Sequence, residues 1–520
     1  MVLLFMVKNK NKSNQSKLGI VALDSAVPKN HIVRYIVKFV DEYFDLLQIP
    51  EKTKKSKKGG RPAFSPKEMF KLIIYAKIDH VESARHIADM ARYHDIYKYV
   101  CNDIKPSERS VQRFRSENGK EFEALLQMTL KKAADAGFTE FNHVSIDGTI
   151  KKAYNSNNNV ISKKETQILI DYYNGLPTSP ETLEKLHKPA KRILEYKKLS
   201  DDDRLELLYD ISTQFTFTGQ NTIPVNDIEA RFMKGKKGNQ MVAYNIQSAV
   251  DYDTKLICAI NVTQRPTDHY ELPKIAEKAI NNIGKVPETM SADTIYLNEI
   301  SLSFFADNNI DGLIPTRKQS KERIGRLNEN PYHKDHFSYL FEQDAFLCPE
   351  GQILTFFKDY VEKSEDPDKP DKIKRLYNNY SACKACKARN KCISESQYHR
   401  TITEYGSEMK KGMQLKMEKE ENKEEYSKRS SVEGPFGVFK EQFNIEKEVV
   451  IGMQKTEERI NLDAVAYNLI RLYNLENEKE NNKEDLIDFC EENMDDVGEK
   501  GDNEQSQETV EQQPVEQEQI

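Results

Sequence analysis

Residues 426–440 read YSKRSSVEGPFGVFK, with Arg429, Glu433 and Lys440 at offsets of 3, 7 and 14 from Tyr426. On a continuous helix of about 3.6 residues per turn, these offsets fall within an arc of roughly 60°. One face would present a phenol, a guanidinium, a carboxylate and an ammonium together. Pro435 would kink such a helix or begin a new one. An exposed charged helix with chance spacing reads the same way, so the segment gains chemical meaning only if other carboxylates join Glu433. Two candidates stand in strand-like runs, Asp147 in VSIDGT and Asp293 in MSADTIY. Each is read at a strand end, where sites gather in open α/β sheets, although a lone strand-end Asp is more often a turn former. Asp147, Asp293 and Glu433 together would offer hard oxygen ligands to two Mg²⁺ (or Mn²⁺) ions. Such a pair, about 3.5–4 Å apart, activates an attacking oxygen and stabilises a leaving 3′-oxygen in an in-line phosphoryl transfer.

The elements that must position these residues fall into two textures. From His31 to Leu47 apolar residues recur at three and four, the pattern of an amphipathic helix. Short helices follow in PKEMFKLIIYAKI, VESARHIADMARY and SERSVQRFRSENG. Ser107 is positioned to cap the last of these, Val111 and Phe114 to face a core, and Arg109 and Arg113 to share another face. Short helices ending in a basic one fit a helix-turn-helix-like DNA reader; a helical bundle without a ligand is the other reading. After Phe138 the texture changes to strands. QMVAYNIQSAVDYDTKLICAINVTQRPTD reads as two strands joined at DYDTK, YELPKIAEKAI and EISLSFFADNNI as helices, and DGLIPTR as a further strand. Strands in a meander followed by alternating helices and strands predict a mixed α/β sheet flanked by helices. Residues 180–225 read as a charged helical insertion, 405–430 as one charge-rich helix, and 459–474 as a helix with Leu462, Val465, Ala466, Leu469 and Leu472 on one face.

The 520 residues suffice for several domains, and 31% of them are charged. The net charge of −6 is unevenly spread: residues 475–520 carry −14, leaving +8 on the rest. A basic body is compatible with a polyanionic partner. The Glu/Gln/Asn-rich tail is expected to be disordered, and residues 1–30 to be flexible. Six basic residues between Lys52 and Arg61 read as a loop, either a solvated linker or a DNA-phosphate contact. No apolar run approaches the ~20 residues of a membrane helix, and MVLLFMV is short for a signal peptide. The expected location is cytoplasmic.

In that compartment clustered cysteines point to metal rather than disulfides. Cys348, Cys383, Cys386 and Cys392 follow C-x34-C-x2-C-x5-C, which suits a tetrahedral structural Zn²⁺ site. Free thiols or redox chemistry are the alternatives. Cys101 and Cys258 read as buried and structural.

These residues together resemble the DDE-type insertion-sequence transposases. The resemblance rests on the Y-(2)-R-(3)-E-(6)-K spacing at Tyr426, Arg429, Glu433 and Lys440, on IDGTIKKAYNS around Asp147, and on SADTIY around Asp293, where Ile295 stands in place of the family's usual Gly. DIEARFMKGKKGNQMVAYNIQSAVD and GRPAFSPKEMFKLIIYA extend it to about residues 20–475. It implies an RNase H-like catalytic domain over 138–475, with a helical insertion at about 160–225 and a Cys-rich insertion at about 320–425. An all-α DNA-binding domain over 31–125 would precede it and an acidic tail over 476–520 follow. It implies that Asp147, Asp293 and Glu433 bind the catalytic metals, that Arg429 and Lys440 contact DNA phosphates, and that Tyr426 positions the strand. Lys234, Lys236 and Lys237 are further phosphate candidates, while Asp227 and Asp268 read as structural. The implied activity is binding of terminal inverted repeats, strand cleavage and strand transfer, by a homodimer or larger assembly on transposon ends and target DNA in the nucleoid. Two other functions remain open: a catalytically silent DNA-binding protein derived from a transposase, and a metal-dependent nuclease without strand transfer.

Overall fold

The structure, a computed structural model, describes residues 23–47, 49, 64–195, 198–235, 238–363, 371–405, 408–427, 429, 434–435 and 450–498. Contacts divide the chain into two units, Met1–Arg471 and Leu472–Ile520.

The N-terminal part of the first unit includes the helices α1 (Ile32–Tyr43), α2 (Pro66–Ile78), α3 (Ala84–Tyr93), α4 (Asp95–Val100), α5 (Glu108–Glu117) and α6 (Glu121–Asp135). Their starts follow from local chemistry. Pro66 at the first turn of α2 gives up an amide with no intrahelical partner, and the Ser107 hydroxyl accepts from the Ser110 amide at 3.2 Å to cap α5. Helix α2 is buried all round from Met69 to Lys77, as a central helix should be. Phe70 meets Phe114 and Phe122 edge-on at 4.9 and 5.6 Å. Residues 23–30, expected to be flexible, are instead fastened where they precede α1. The Arg34 guanidinium donates to Asp24 Oδ1 at 2.7 Å and to the Val27 carbonyl at 2.8 Å.

The chain then forms β1 (His143–Lys152) and makes a helical excursion through β2 (Val160–Ser162), α7 (Lys163–Tyr173), α8 (Pro180–Glu184), α9 (Lys188–Glu195), α10 (Asp201–Thr218) and β3 (Thr222–Pro224). The excursion has its own core, including Leu169, Ile193, Leu208, Ile211 and Phe215. It returns through β4 (Arg231–Lys234), β5 (Gln240–Asp251), β6 (Ile257–Thr263), α11 (Leu272–Ile283), β7 (Thr289–Ala292), α12 (Glu299–Asp307) and β8 (Asp311–Leu313). These strands make one mixed sheet. Antiparallel β5 lies between β1 on one edge and β4 with β6 on the other. Beyond β1, strands β7 and β8 pair parallel. The architecture is therefore α/β with a mixed sheet.

The next segment is α13 (Arg317–Arg323), β9 (Ser338–Leu340), β10 (Ala345–Leu347), β11 (Ile353–Glu362), β12 (Lys372–Asn378), α14 (Tyr380–Ala385), α15 (Arg389–Cys392) and β13 (Thr401–Tyr405). Its strands build a second sheet in the order β13-β12-β11-β10-β9, all antiparallel, around Phe337, Phe346, Leu354, Tyr377 and Ile402. Sequence reading predicted no sheet here, because the strands are short or exposed along most of their length and lack clear alternation. Asp344, with φ of 43°, ties this region together: its carboxylate accepts from Tyr339 at 2.6 Å, Tyr377 at 2.8 Å, Arg375 at 2.9 Å and Lys411 at 2.5 Å.

Residues 405–430, expected as one helix, break into α16 (Glu408–Lys416) and α17 (Glu420–Ser427). The last helix, α18, is Met453–Gly498. In the first unit its Leu462, Val465, Ala466 and Leu469 are buried. The Asn468 side chain accepts from the Ile257 amide at 2.9 Å and donates to the Ile257 carbonyl at 3.0 Å, covering the β6 edge that would otherwise offer free backbone groups. The second unit is helical through Gly498, where sequence composition predicted disorder from residue 476. Residues 499–520 lie outside the described residues.

Candidate active site

The sheet register brings Asp147 and Asp293 together. Strands β1 and β7 run parallel, with Ile146 opposite Ala292, so the next residue on each strand is an aspartate. Asp147 is not at the end of β1 as expected. The strand continues to Lys152 because β5 goes on pairing with it, with Asp147 opposite Ser248 and Lys152 opposite Ala243. What ends beside Asp147 is the parallel ladder to β7. There Asp293 turns the chain into a short 3₁₀ helix, its carboxylate accepting from the Thr294 amide at 2.7 Å. Asp293 is exposed, and the Asp147 side chain retains 33% exposure.

Tyr426 and Arg429 reach the same place from a segment about 280 residues away from Asp147. Helix α17 ends at Ser427, so Arg429 lies beyond it rather than on one continuous helix with Tyr426. The Arg429 Nη2 is 3.3 Å from Asp147 Oδ1, and the residue is 8% exposed. Burial opposes its charge, but Tyr426, Asp147, Asp293 and Tyr296 outweigh burial and hold its pKa above the ordinary guanidinium value. The Tyr426 phenol is pushed up by burial, with Arg429 acting in the opposite sense and Asp293 adding to the rise. Arg323 of α13 lies over the Tyr426 ring at 5.2 Å from its centroid. Glu433, Lys440, Lys236 and Lys237 lie outside the described residues. Lys234 ends β4 and is exposed, and Arg109 and Arg113 are exposed on α5.

Asp268, read from the sequence as structural, lies against the glycine that follows Asp147. Asp268 accepts from Asn245 and Gln247 at 2.6 Å each. An added Cβ on Gly148 would lie 2.7 Å from both Asp268 Oδ1 and Gln247 Nε2, so the glycine after Asp147 permits a close approach. Tyr296 donates to Gln247 and is pushed well above its ordinary pKa, first by burial and then by Asp268 and Asp147. The signal available in the sequence was Asp147-Gly148: a glycine within a strand marks a close approach, but not what approaches. Asp227 is structural as read: fully buried, it accepts from Tyr244 at 2.6 Å.

Among the described residues Cys101, Cys258, Cys348, Cys383, Cys386 and Cys392 form no disulfide, the first two buried and the other four half-buried. The Cys392 thiol is raised by burial; Arg400 opposes the rise, and Cys383, Cys348 and Cys386 add to it, so the four share one neighbourhood. The Gln352 amide donates to Cys348 Sγ at 3.3 Å. Among the described residues, no group of three or more His, Cys, Asp or Glu is arranged to hold a metal ion. No helix among them is long and apolar enough to cross a membrane.

Two family models match the chain. Residues 347–473 match one described as "Transposase DDE domain", and residues 21–117 match one described as "Transposase domain (DUF772)". A comparison with curated proteins gave no match. Both matched families are transposases, and the two matches support an insertion-sequence transposase of the DDE type. Tyr426, Arg429, Glu433 and Lys440 fall inside the first match, whereas Asp147 and Asp293 fall between the two.

Proposed function

We propose that the chain binds the terminal inverted repeats of an insertion sequence, cuts the strands there and joins them to target DNA. The observation that carries this reading is the β1–β7 register, which sets Asp147 and Asp293 side by side with Arg429 at 3.3 Å from Asp147 in a chain of the DDE transposase class. Three antiparallel strands followed by two parallel ones, with one acid on β1 and the other directly after the adjoining β7, support an RNase H-like sheet. Residues 31–125 would read the transposon end through Arg109 and Arg113, and the catalytic domain would act as a dimer or larger assembly on the DNA in the nucleoid.

Asp147 and Asp293 present hard carboxylate oxygens at a water-accessible strand junction, a donor set suited to Mg²⁺ or Mn²⁺, and Glu433 would complete it. When bound, two such ions supply Lewis acidity to the scissile phosphate and to the attacking oxygen. This chain's own residues do the rest. The Arg429 guanidinium neutralises Asp147 before DNA arrives and offers a planar fork to phosphate oxygens. Lys440, Lys234, Lys236 and Lys237 would add point charges along the backbone, with Tyr426 packed behind Arg429. The four cysteines have the donor chemistry of a structural Zn²⁺ site, which would staple the β9–β13 sheet; zinc content of the purified protein measures this directly.

The test is cleavage of a plasmid carrying the gene's own flanking DNA, with Mg²⁺ or EDTA, by wild type and by Asp147→Ala, Asp293→Ala and Glu433→Ala. Cuts at the element's ends that vanish in EDTA and in all three variants are expected. Specific binding without metal-dependent cutting would leave a DNA-binding protein only.

A further inference from the structure

The active-site face of the sheet continues below the acids as a line of buried polar side chains. Alternation along a strand puts His143, Ser145 and Asp147 on one face of β1 and Ser291 on the same face of β7, with Asp293 just past the end of β7. His143 is 6% exposed, Ser145 1% and Ser291 0%. The Ser145 and Ser291 hydroxyls are 2.7 Å apart, and His143 Nε2 is 3.0 Å from Ser291 Oγ. The other ring nitrogen, Nδ1, is 2.8 Å from Glu425 Oε1. The ring itself stacks on Tyr252 at 5.3 Å. In either the neutral or the charged imidazole that fits these contacts, Nδ1–H donates to the Glu425 carboxylate, while the Nε2–Ser291–Ser145 chain runs from Ser145 toward the ring in the neutral form and from the ring toward Ser145 in the charged one.

Glu425 immediately precedes Tyr426 on α17. That helix is eight residues long, and Tyr426 is its one buried residue. A helix this short is marginal by itself, and a single phenol is a small anchor. A charge-assisted hydrogen bond to a ring held on both sides is a stronger one. We propose that His143 and Glu425 are positioning residues: they clamp α17 to the β1–β7 floor and thereby fix where Tyr426 and Arg429 stand over Asp147 and Asp293. The positioning role rests on the DNA-cutting reading; the clamp itself does not. The chemistry stays with the acids and Arg429, and the clamp sets their geometry, for which displacements of about 1 Å are costly.

Two measurements on the full chain test this. Hydrogen–deuterium exchange of residues 420–427 reads the clamp without any DNA, and single-turnover cleavage of a transposon end, with end affinity measured in parallel, reads the positioning. Glu425→Ala and His143→Asn are expected to speed exchange in 420–427 about tenfold and slow cleavage about tenfold, the size of one lost charge-assisted hydrogen bond. End affinity should stay within about twofold. The double variant should be no slower than either single one. Glu425→Gln, which still accepts from Nδ1–H, should restore both readouts. Because the Glu425 side chain is 35% exposed, its variants remain informative if those of buried His143 fail to fold. Unchanged exchange in Glu425→Ala would overturn the clamp. Faster exchange with unchanged cleavage, or effects that multiply in the double variant, would overturn the positioning role. A wild type that cuts no DNA while exchange responds as expected would remove the transposase reading and leave the clamp standing.

Discussion

The molecule holds two clusters of opposite charges that use the same residue types in different surroundings. One joins the N-terminal helices to α18. Lys77, 2% exposed, is 2.7 Å from Asp463, which is fully buried, and Lys77 also pairs with Glu82. Glu82 in turn meets Arg459 at 3.1 Å, and its backbone carbonyl accepts from Arg115 at 2.9 Å. The other cluster is the site, where Arg429 is buried but Asp147 and Asp293 keep contact with water. In the first, burial drives the Asp463 carboxyl above its ordinary value against the pull of Lys77, Lys151 and Arg459, so this acid is closed to solvent. In the second, the acids face solvent and have oxygens to offer to an ion. Residue type names the chemistry that is available; burial decides whether a ligand can reach it.

The sharpest way to break this comparison is to remove an acid from each cluster. Asp147→Ala or Asp293→Ala should lower end cleavage by ~10³-fold or more, since charge stabilisation at the reacting phosphate goes with it, while urea midpoints stay near wild type. Asp463→Ala should behave in the opposite way. It takes from buried Lys77 one of its two carboxylate partners, leaving Glu82, and is expected to cost about 3 kcal/mol in urea unfolding, with cleavage lost only as the fold is lost. If Asp463→Ala spared stability, the contrast between a structural and a chemical cluster would not hold.

pH sharpens the comparison within the first cluster, where Asp463 is buried and Glu82 is partly exposed. Asp463 has a folded pKa above its unfolded one, so its ionisation costs the fold, and stability falls as pH rises from the unfolded value through the folded one. Glu82 is the reverse. Burial would raise it, but Lys77, Arg459 and Arg115 outweigh burial and lower it, so its stabilisation is present above the unfolded value and is lost as pH falls through the folded one. Asp463→Asn should therefore flatten the decline of stability on the side of rising pH, and Glu82→Gln the decline on the acid side, in urea titrations at successive pH values.

Gly148→Ala probes the crowding beside Asp147. The added Cβ must displace Asp268 or Gln247, with an expected loss of about 1–3 kcal/mol and cleavage reduced about tenfold. The smallest effect is expected at Asp344. Burial works against its charge, yet Lys411, Tyr339 and Tyr377 bring its pKa down to about 2. Its contribution is present above the unfolded carboxylate value and lost as pH falls through about 2. Asp344→Asn should lower the melting temperature slightly at pH 7 and leave it unchanged near pH 2.

Much of the element pattern was legible because it is local. PKEMFKLIIYAKI is α2 residue for residue, and Ser107 caps α5, since propensity and capping act within a few positions. β5 and β6 lie where their apolar runs placed them. The β9–β13 sheet was not legible, because its short, exposed strands are held by Asp344 and a small apolar core drawn from five separate places in the sequence. The partners of Asp268 were not legible, because Asn245 and Gln247 reach it from β5, more than twenty residues back in the sequence.

The sequence by itself determined the class of the chain, the acids Asp147 and Asp293 as candidates, and the Tyr426, Arg429, Glu433, Lys440 spacing, because these are matters of residue type and short offsets. Tertiary structure alone decided that Asp147 lies within β1 rather than at its end, that Arg429 comes within 3.3 Å of Asp147, and that His143 reaches Glu425 across 282 residues. Those facts follow from strand register and helix packing, where hydrogen bonds and burial act between residues that no local pattern connects.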